Sequence, residues 1–193
     1  MNHVRAGDLQ IHYREWSPSS RSASPGSPIV FVHGNWSTHR WWIPTAAALG
    51  LQPEDHRLLA IDLRGRGDTR GPDHGYTIAE LADDLLGFLD ALALARAHLV
   101  GHSLGSPIIT ELALRHPERV ASLVAVAPCW VDGMPEEWAR REDQARVHAD
   151  RQRFARLLAG MAPTAPRDGL WDELIVTGHR QREIATMRNL DAL

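Results

Sequence analysis

Residues 101–105 read Gly101-His102-Ser103-Leu104-Gly105, a Gly-x-Ser-x-Gly spacing at the end of an apolar run. That is the pattern of a nucleophile elbow, a strand-to-helix turn that lifts a serine hydroxyl to the edge of a parallel sheet. An alcohol is a weak nucleophile at neutral pH and needs a base, a fixed direction and a place for the oxyanion it creates. The turn supplies the direction. Gly101 and Gly105 lack side chains, so strand and helix can close around a serine held in a strained backbone conformation. A helix opening at Leu104 aims its free N–H groups and the positive end of its dipole at the developing negative charge. Pro107 fits within the first turn, where its missing N–H costs nothing. The competing reading is a glycine-rich turn that carries serine by coincidence. A second motif, His33-Gly34-Asn35-Trp36, follows an earlier apolar run, where a further backbone N–H donor would be required.

These residues need a scaffold, and the hydropathy pattern provides one. Pro28–Val32 and Arg57–Ile61 are short continuous apolar runs, as are His98–Val100 and Val120–Val126, the form taken by strands buried on both faces. Leu9 to Trp16 alternates like a half-exposed strand. Thr77 to Leu94 has apolar residues near a 3.6 period, with Thr77 as N-cap and Glu80 three positions on. Leu104 to His116 is a second helix, stopped by Pro117. Strands alternating with helices predict α/β architecture, a mostly parallel sheet with helices on both faces. Ser17 to Pro28 reads as a Ser/Pro-rich surface loop. Beyond Pro128 the chain turns helical and charged: Glu136 to Met161 forms one such stretch, and Leu170 to Leu193 reads as further short helices. The expected division is a sheet core at 1–129 and a helical cap or lid at 130–193.

With the elbow, the His-Gly loop and Asp62-x-Arg-Gly-x-Gly in this order, the chain resembles the α/β-hydrolase superfamily. The branch is that of cap-bearing serine esterases, haloperoxidase-like enzymes and carbon–carbon bond hydrolases. The resemblance implies that Ser103 is the nucleophile and that the backbone N–H groups of Leu104 and Asn35 form the oxyanion hole, with Trp36 as donor if the loop is displaced by one residue. It implies hydrolysis of an ester or related acyl bond of a small-molecule substrate through an acyl-serine. His102 and His33 read as packing or loop-supporting residues. Trp36 and Trp130 are candidates for the substrate pocket, as are Trp41 and Trp42, with plain packing the alternative. Arg64 and Arg66 beside Asp68 read as a solvated, salt-bridged loop, and the charged run Glu136–Arg153 as the wet face of a cap helix.

The family's order of triad partners, Ser then acid then His, is not completed by any matching strand after the cap. Asp132 is one candidate acid, lying a few residues past the expected place, and the histidines after Ser103 are His116, His148 and His179. Three readings stand: a C-terminally truncated hydrolase, a catalytically inactive binding module, or an enzyme that uses His148, His179 or a second subunit's histidine. Truncation predicts an exposed sheet edge and a possible homodimer through it. The 193-residue chain has a net charge of −3 and a pI near 6.4, so nothing basic points to nucleic acid. No apolar run approaches the ~20 residues of a membrane span, the N-terminus lacks a signal-peptide pattern, and the single cysteine, Cys129, favours a reducing compartment, so a cytoplasmic protein is expected. His33 with His39, and His98 with His102, have no cysteine or carboxylate at ligand spacing. No metal and no cofactor are expected.

Overall fold

The computed structural model describes residues 2–16, 26–49, 57–129 and 141–192. Six strands form one sheet: β1 (Asn2–Ala6), β2 (Leu9–Trp16), β3 (Ile29–Val32), β4 (Leu58–Ile61), β5 (Ala97–His102) and β6 (Val120–Val126). Their order is β1-β2-β4-β3-β5-β6. The pairs β4/β3, β3/β5 and β5/β6 are parallel, while β1/β2 and β2/β4 are antiparallel. The four parallel strands are the four apolar runs of the sequence. β1 is an addition: Asn-His-Val-Arg-Ala lies at the sheet edge and buries little, so its sequence carries no hydrophobic pattern.

Helices α1 (Ile43–Ala48), α2 (Ile78–Ala91) and α3 (Gly105–Arg115) surround the sheet. α2 begins at a complete capping box: Thr77 Oγ1 accepts from the Glu80 amide, and the Glu80 carboxylate accepts from the Thr77 amide. Its buried face (Leu81, Leu85, Phe88, Leu89) joins Leu9, Val30, Val32, Leu59, Leu99 and Ile109 in the principal core. On the opposite face of the sheet Phe31, Trp42, Leu58 and Ala60 form a second cluster, with Trp41 packed against it.

The C-terminal region comprises α4 (Arg141–Ala149), α5 (Arg151–Met161), α6 (Gly169–His179) and α7 (Glu183–Ala192). The single helical stretch expected up to Met161 is broken at Asp150, which leaves helical geometry to cap α5 by accepting from the amides of Gln152 and Arg153. Val147, Phe154, Leu158 and Trp171 gather in a third cluster, onto which Trp36 and Trp41 pack from the sheet side. β6 departs from the expected burial. Among the described residues it pairs with β5 alone, and Leu123, Val124 and Val126 are exposed rather than enclosed. None of the described helices is long and apolar enough to cross a membrane.

Candidate active site

β5 ends at His102, and the chain turns through Ser103 into α3. Ser103 has φ 48°, in the left-handed region that costs a non-glycine residue strain. Hydrogen bonds hold it there. Its amide donates to the Val126 carbonyl at 3.0 Å, its carbonyl accepts from the Ser106 amide at 2.8 Å, and Ser106 Oγ donates to the Gly101 carbonyl at 2.9 Å. The flanking glycines let this turn close. A Cβ on Gly101 would overlap the Gly105 carbonyl, and one on Gly105 would overlap the carbonyl of Val32 on β3. Ser103 is half-buried at the N-terminus of α3, whose dipole places roughly half a positive charge there.

The loop after β3 lies over this serine. A Cβ on Gly34 would be 3.0 Å from Ser103 Cβ and 2.9 Å from His102 Nδ1, so glycine is what permits the approach. The loop is anchored by His33. Its Nδ1 donates to the Gly34 carbonyl at 2.7 Å and its Nε2 accepts from the Leu63 amide at 3.1 Å. Both ring nitrogens are committed, and complete burial lowers its pKa to about 4 despite the opposing pull of Asp62. His102 stacks on Trp41 with ring centroids 5.1 Å apart and meets Trp42 edge-on. Burial lowers its pKa as well. The geometry thus gives His33 and His102 loop-anchoring and packing contacts.

The two oxyanion candidates sit on facing elements, the buried Leu104 at the start of α3 and the half-buried Asn35 in the loop. Trp36, the alternative donor, has φ 56°, and its amide donates to Gln181 Oε1 at 3.1 Å. Its indole donates to Gln144 Oε1 and packs on Phe154, with centroids 5.2 Å apart. Trp36 is therefore the seam between this loop and the C-terminal helices. Gly178 makes the seam possible, because a Cβ there would strike the Trp36 carbonyl. Trp41 and Trp42 are packing residues of the sheet-side cluster. Trp130, the other pocket candidate, and Asp132 lie outside the described residues.

Arg64 and Arg66 correct the expectation of a solvated loop. Arg64 is 7 % exposed and forks onto Asp84 through two bonds of 2.8 and 2.7 Å. Arg66 is fully buried. Its guanidinium donates to Asn35 Oδ1 at 2.8 Å, to Asn189 Oδ1 on α7, and to the carbonyls of Arg64 and Ala185. Burial among neutral acceptors lowers its pKa to about 10, so it stays charged at neutral pH. Asn189 in turn donates to the Tyr76 carbonyl. One cation thus joins the loop after β3 to α7. Charge is visible in a sequence but burial in a loop is not, so neither arginine announced this role.

Ser103 Oγ lies 3.5 Å from Cys129 Sγ, its hydrogen-bond partner among the described residues. Burial raises the pKa of that thiol. Cys129 arrives there through a turn at Ala127 (φ 43°) just after β6, and no local motif signals it. His116 ends α3 and faces Glu118 at 3.6 Å. His148 Nε2 is 2.9 Å from the Gln181 carbonyl, and His179 packs beside it with ring centroids 6.1 Å apart. None of the three is hydrogen-bonded to Ser103 among the described residues.

Comparison with known proteins agrees with this architecture. The model of the alpha/beta hydrolase fold family matches residues 27–165. The protein named "Putative carbamate hydrolase RutD" from Variovorax paradoxus (strain S110) is 40% identical over 121 residues, which are 61% of this chain and 42% of that protein. A 2-(acetamidomethylene)succinate hydrolase from Mesorhizobium japonicum is 33% identical over 158 residues, 78% of this chain and 54% of the relative. The chain spans about half the length of the curated relatives it matches. Among solved structures, the enol-lactonase from Burkholderia xenovorans LB400 superposes with a TM-score of 0.74 at 24% identity, covering 99% of this chain and 72% of that one. An elbow serine in left-handed backbone, a His-Gly loop closed over it and a family match across most of the sheet lead to one statement: this chain belongs to the α/β-hydrolase fold family.

Proposed function

We propose that the protein hydrolyses an ester or related acyl bond of a small molecule, with Ser103 as nucleophile. Ser103 Oγ adds to the acyl carbon. The resulting oxyanion accepts from the amides of Leu104 and Asn35, and the leaving group departs with a proton. Water then releases the acid from acyl-Ser103. Trp36 borders the acyl side of the site, beside the helices of residues 141–192. The single observation that carries this reading is the strained backbone of Ser103 (φ 48°) at a helix N-terminus, beneath a loop that only glycine lets approach. Two relatives are named for a carbamate and for an acetamido compound, both of which contain an acyl carbon. The reading assigns the general base and the acid to no described residue.

A catalytically inactive binding module is the second reading, favoured by the thiol rather than an imidazole beside Ser103 Oγ. A p-nitrophenyl ester separates the two. A burst of p-nitrophenol, lost in Ser103→Ala, supports the acyl-serine. Equal release by both proteins overturns it, and ligand binding without turnover, unchanged in Ser103→Ala, favours the module. Loss of a triad partner lowers turnover by several orders of magnitude, so the readings differ by far more than assay error.

A further inference from the structure

The register of the sheet creates a cluster away from Ser103. β2 runs antiparallel to β4, with Tyr13 opposite Ile61, which brings His12 across from Asp62. The Asp62 amide donates to the His12 carbonyl at 2.9 Å. The Thr38-capped 3-10 turn beginning at His39 then lays His39 on the same carboxylate. Each carboxylate oxygen has two partners. Oδ1 accepts from the His39 amide at 2.7 Å and faces His39 Nδ1 at 3.0 Å. Oδ2 accepts from the Asp68 amide at 3.1 Å and faces His12 Nδ1 at 2.7 Å. All three side chains are buried.

We propose that His12, His39 and Asp62 bind a divalent late first-row cation, zinc in the first instance, through the two Nδ1 atoms and the carboxylate. Three observations support the site. The candidate ligand atoms all lie within 4.8 Å of one another, so the widest pair closes by at most about 1.5 Å to reach the ~3.3 Å ligand spacing set by metal–ligand bonds of about 2.0–2.1 Å. The two backbone amides hold one lone pair of each carboxylate oxygen and leave the other directed at the imidazoles. Most telling is His12 Nε2. An ionised Asp62 can only accept, so His12 donates from Nδ1, and its Nε2 is buried and makes no hydrogen bond among the described residues. A cation at Nδ1 reverses this. With the cation on Nδ1 the ring's N–H is at Nε2, which lies 4.0 Å from Asp68 Oδ2. His39 makes the same exchange. Arg40 Nη1, 3.5 Å from His39 Nε2, gives up that contact and keeps its ion pair with Glu173 at 3.1 Å.

Imidazole ligands favour zinc and its neighbours over magnesium or calcium, which take oxygen. An open cavity of about 300 Å³, lined by both imidazoles with Tyr13, Glu15 and Arg40, offers a way in. The cation would bolt the 3-10 turn, and with it the loop over Ser103, to β2 and β4. Its role is structural. Local residue spacing carries no sign of it, because His12 and Asp62 are 50 positions apart.

The test is titration of the chelator-treated full chain with zinc, in parallel with magnesium. One zinc should bind per chain, magnesium should not, and a hundredfold excess over Kd should raise Tm by about 5–10 °C. His12→Gln and His39→Gln should each abolish stoichiometric uptake, while the double variant His148→Gln/His179→Gln retains it. Zinc X-ray absorption of the wild type decides the matter even where a variant fails to fold: two imidazoles and a carboxylate support the site. No uptake, uptake that survives both His12→Gln and His39→Gln, or a different ligand set overturns it.

Discussion

Gly105→Ala tests how closely the elbow is pressed into the sheet. The added methyl would lie 2.9 Å from the Val32 carbonyl carbon and 3.1 Å from the His33 carbonyl oxygen, with the Val32 oxygen closer still. These are backbone atoms of a central strand and the loop after it, so no side-chain rotation relieves the clash. Overpacking typically costs about 1–3 kcal/mol, and an unyielding backbone places this case at the upper end. The helix-propensity gain of alanine over glycine, at most about 1 kcal/mol, offsets part of that at the first helical residue. The expected net loss is about 2–3 kcal/mol, which for a chain of this size lowers Tm by roughly 5–10 °C. Scanning calorimetry measures it, with Gly160→Ala on α5 as the control. A Cβ at 160 meets nothing within 4 Å, so that substitution should leave Tm unchanged or raise it slightly. If Gly105→Ala melts within a degree of the wild type, β3 and α3 are not in contact as described, and the elbow is not closed by its glycines.

Two further outcomes are expected. His33 is neutral when folded, with a pKa of about 4 against an ordinary 6.5, so the unfolded chain binds the extra proton between those values. The stability this buried imidazole supports is complete above pH 6.5 and declines as pH falls toward 4, by about 3 kcal/mol in total. Urea unfolding of the chelator-treated protein from pH 7.5 to 4 should show that decline flattened in His33→Gln, and an unchanged slope would count against it. Arg66→Met should cost about 2–3 kcal/mol, because Asn35 Oδ1 and Asn189 Oδ1 lose a shared donor. Arg66→Lys should not restore it, since an ammonium lacks the planar fork that reaches both. A urea midpoint for Arg66→Met equal to that of the wild type would show the bridge to be energetically idle.

Much of the frame was legible because parallel strands buried on both faces are written as continuous apolar runs. Val30, Leu59 and Leu99 come from three such runs, and all three are fully buried. β1 was not legible, since an edge strand of Asn, His, Val, Arg and Ala has no pattern to read. Val120–Val126 misled on burial: an apolar strand reads alike whether its outer edge is covered or open. At the site, the glycine spacing around Ser103 pointed to the turn that the backbone adopts. Contacts formed between distant segments had no local signature. Cys129 reaches Ser103 across 26 positions, and Gln181 reaches Trp36 across 145. Arg66 shows the same limit in another form, because its type suggests solvent while its neighbours are asparagines and carbonyls.

The seam between the His-Gly loop and the last helices has a consequence for how such proteins diversify. The C-terminal helices are an attractive unit to exchange, since they come from one stretch of chain. Here, however, Gly178, Gln181 and Asn189 belong to the C-terminal helical region while their partners Trp36 and Arg66 belong to loops of the sheet region. A transplanted helical region that lacked these three residues would leave the Trp36 amide and the Arg66 guanidinium short of acceptors beside Asn35. Recombination of this region therefore has to carry the three-residue adapter with it, or rebuild the sheet side to match.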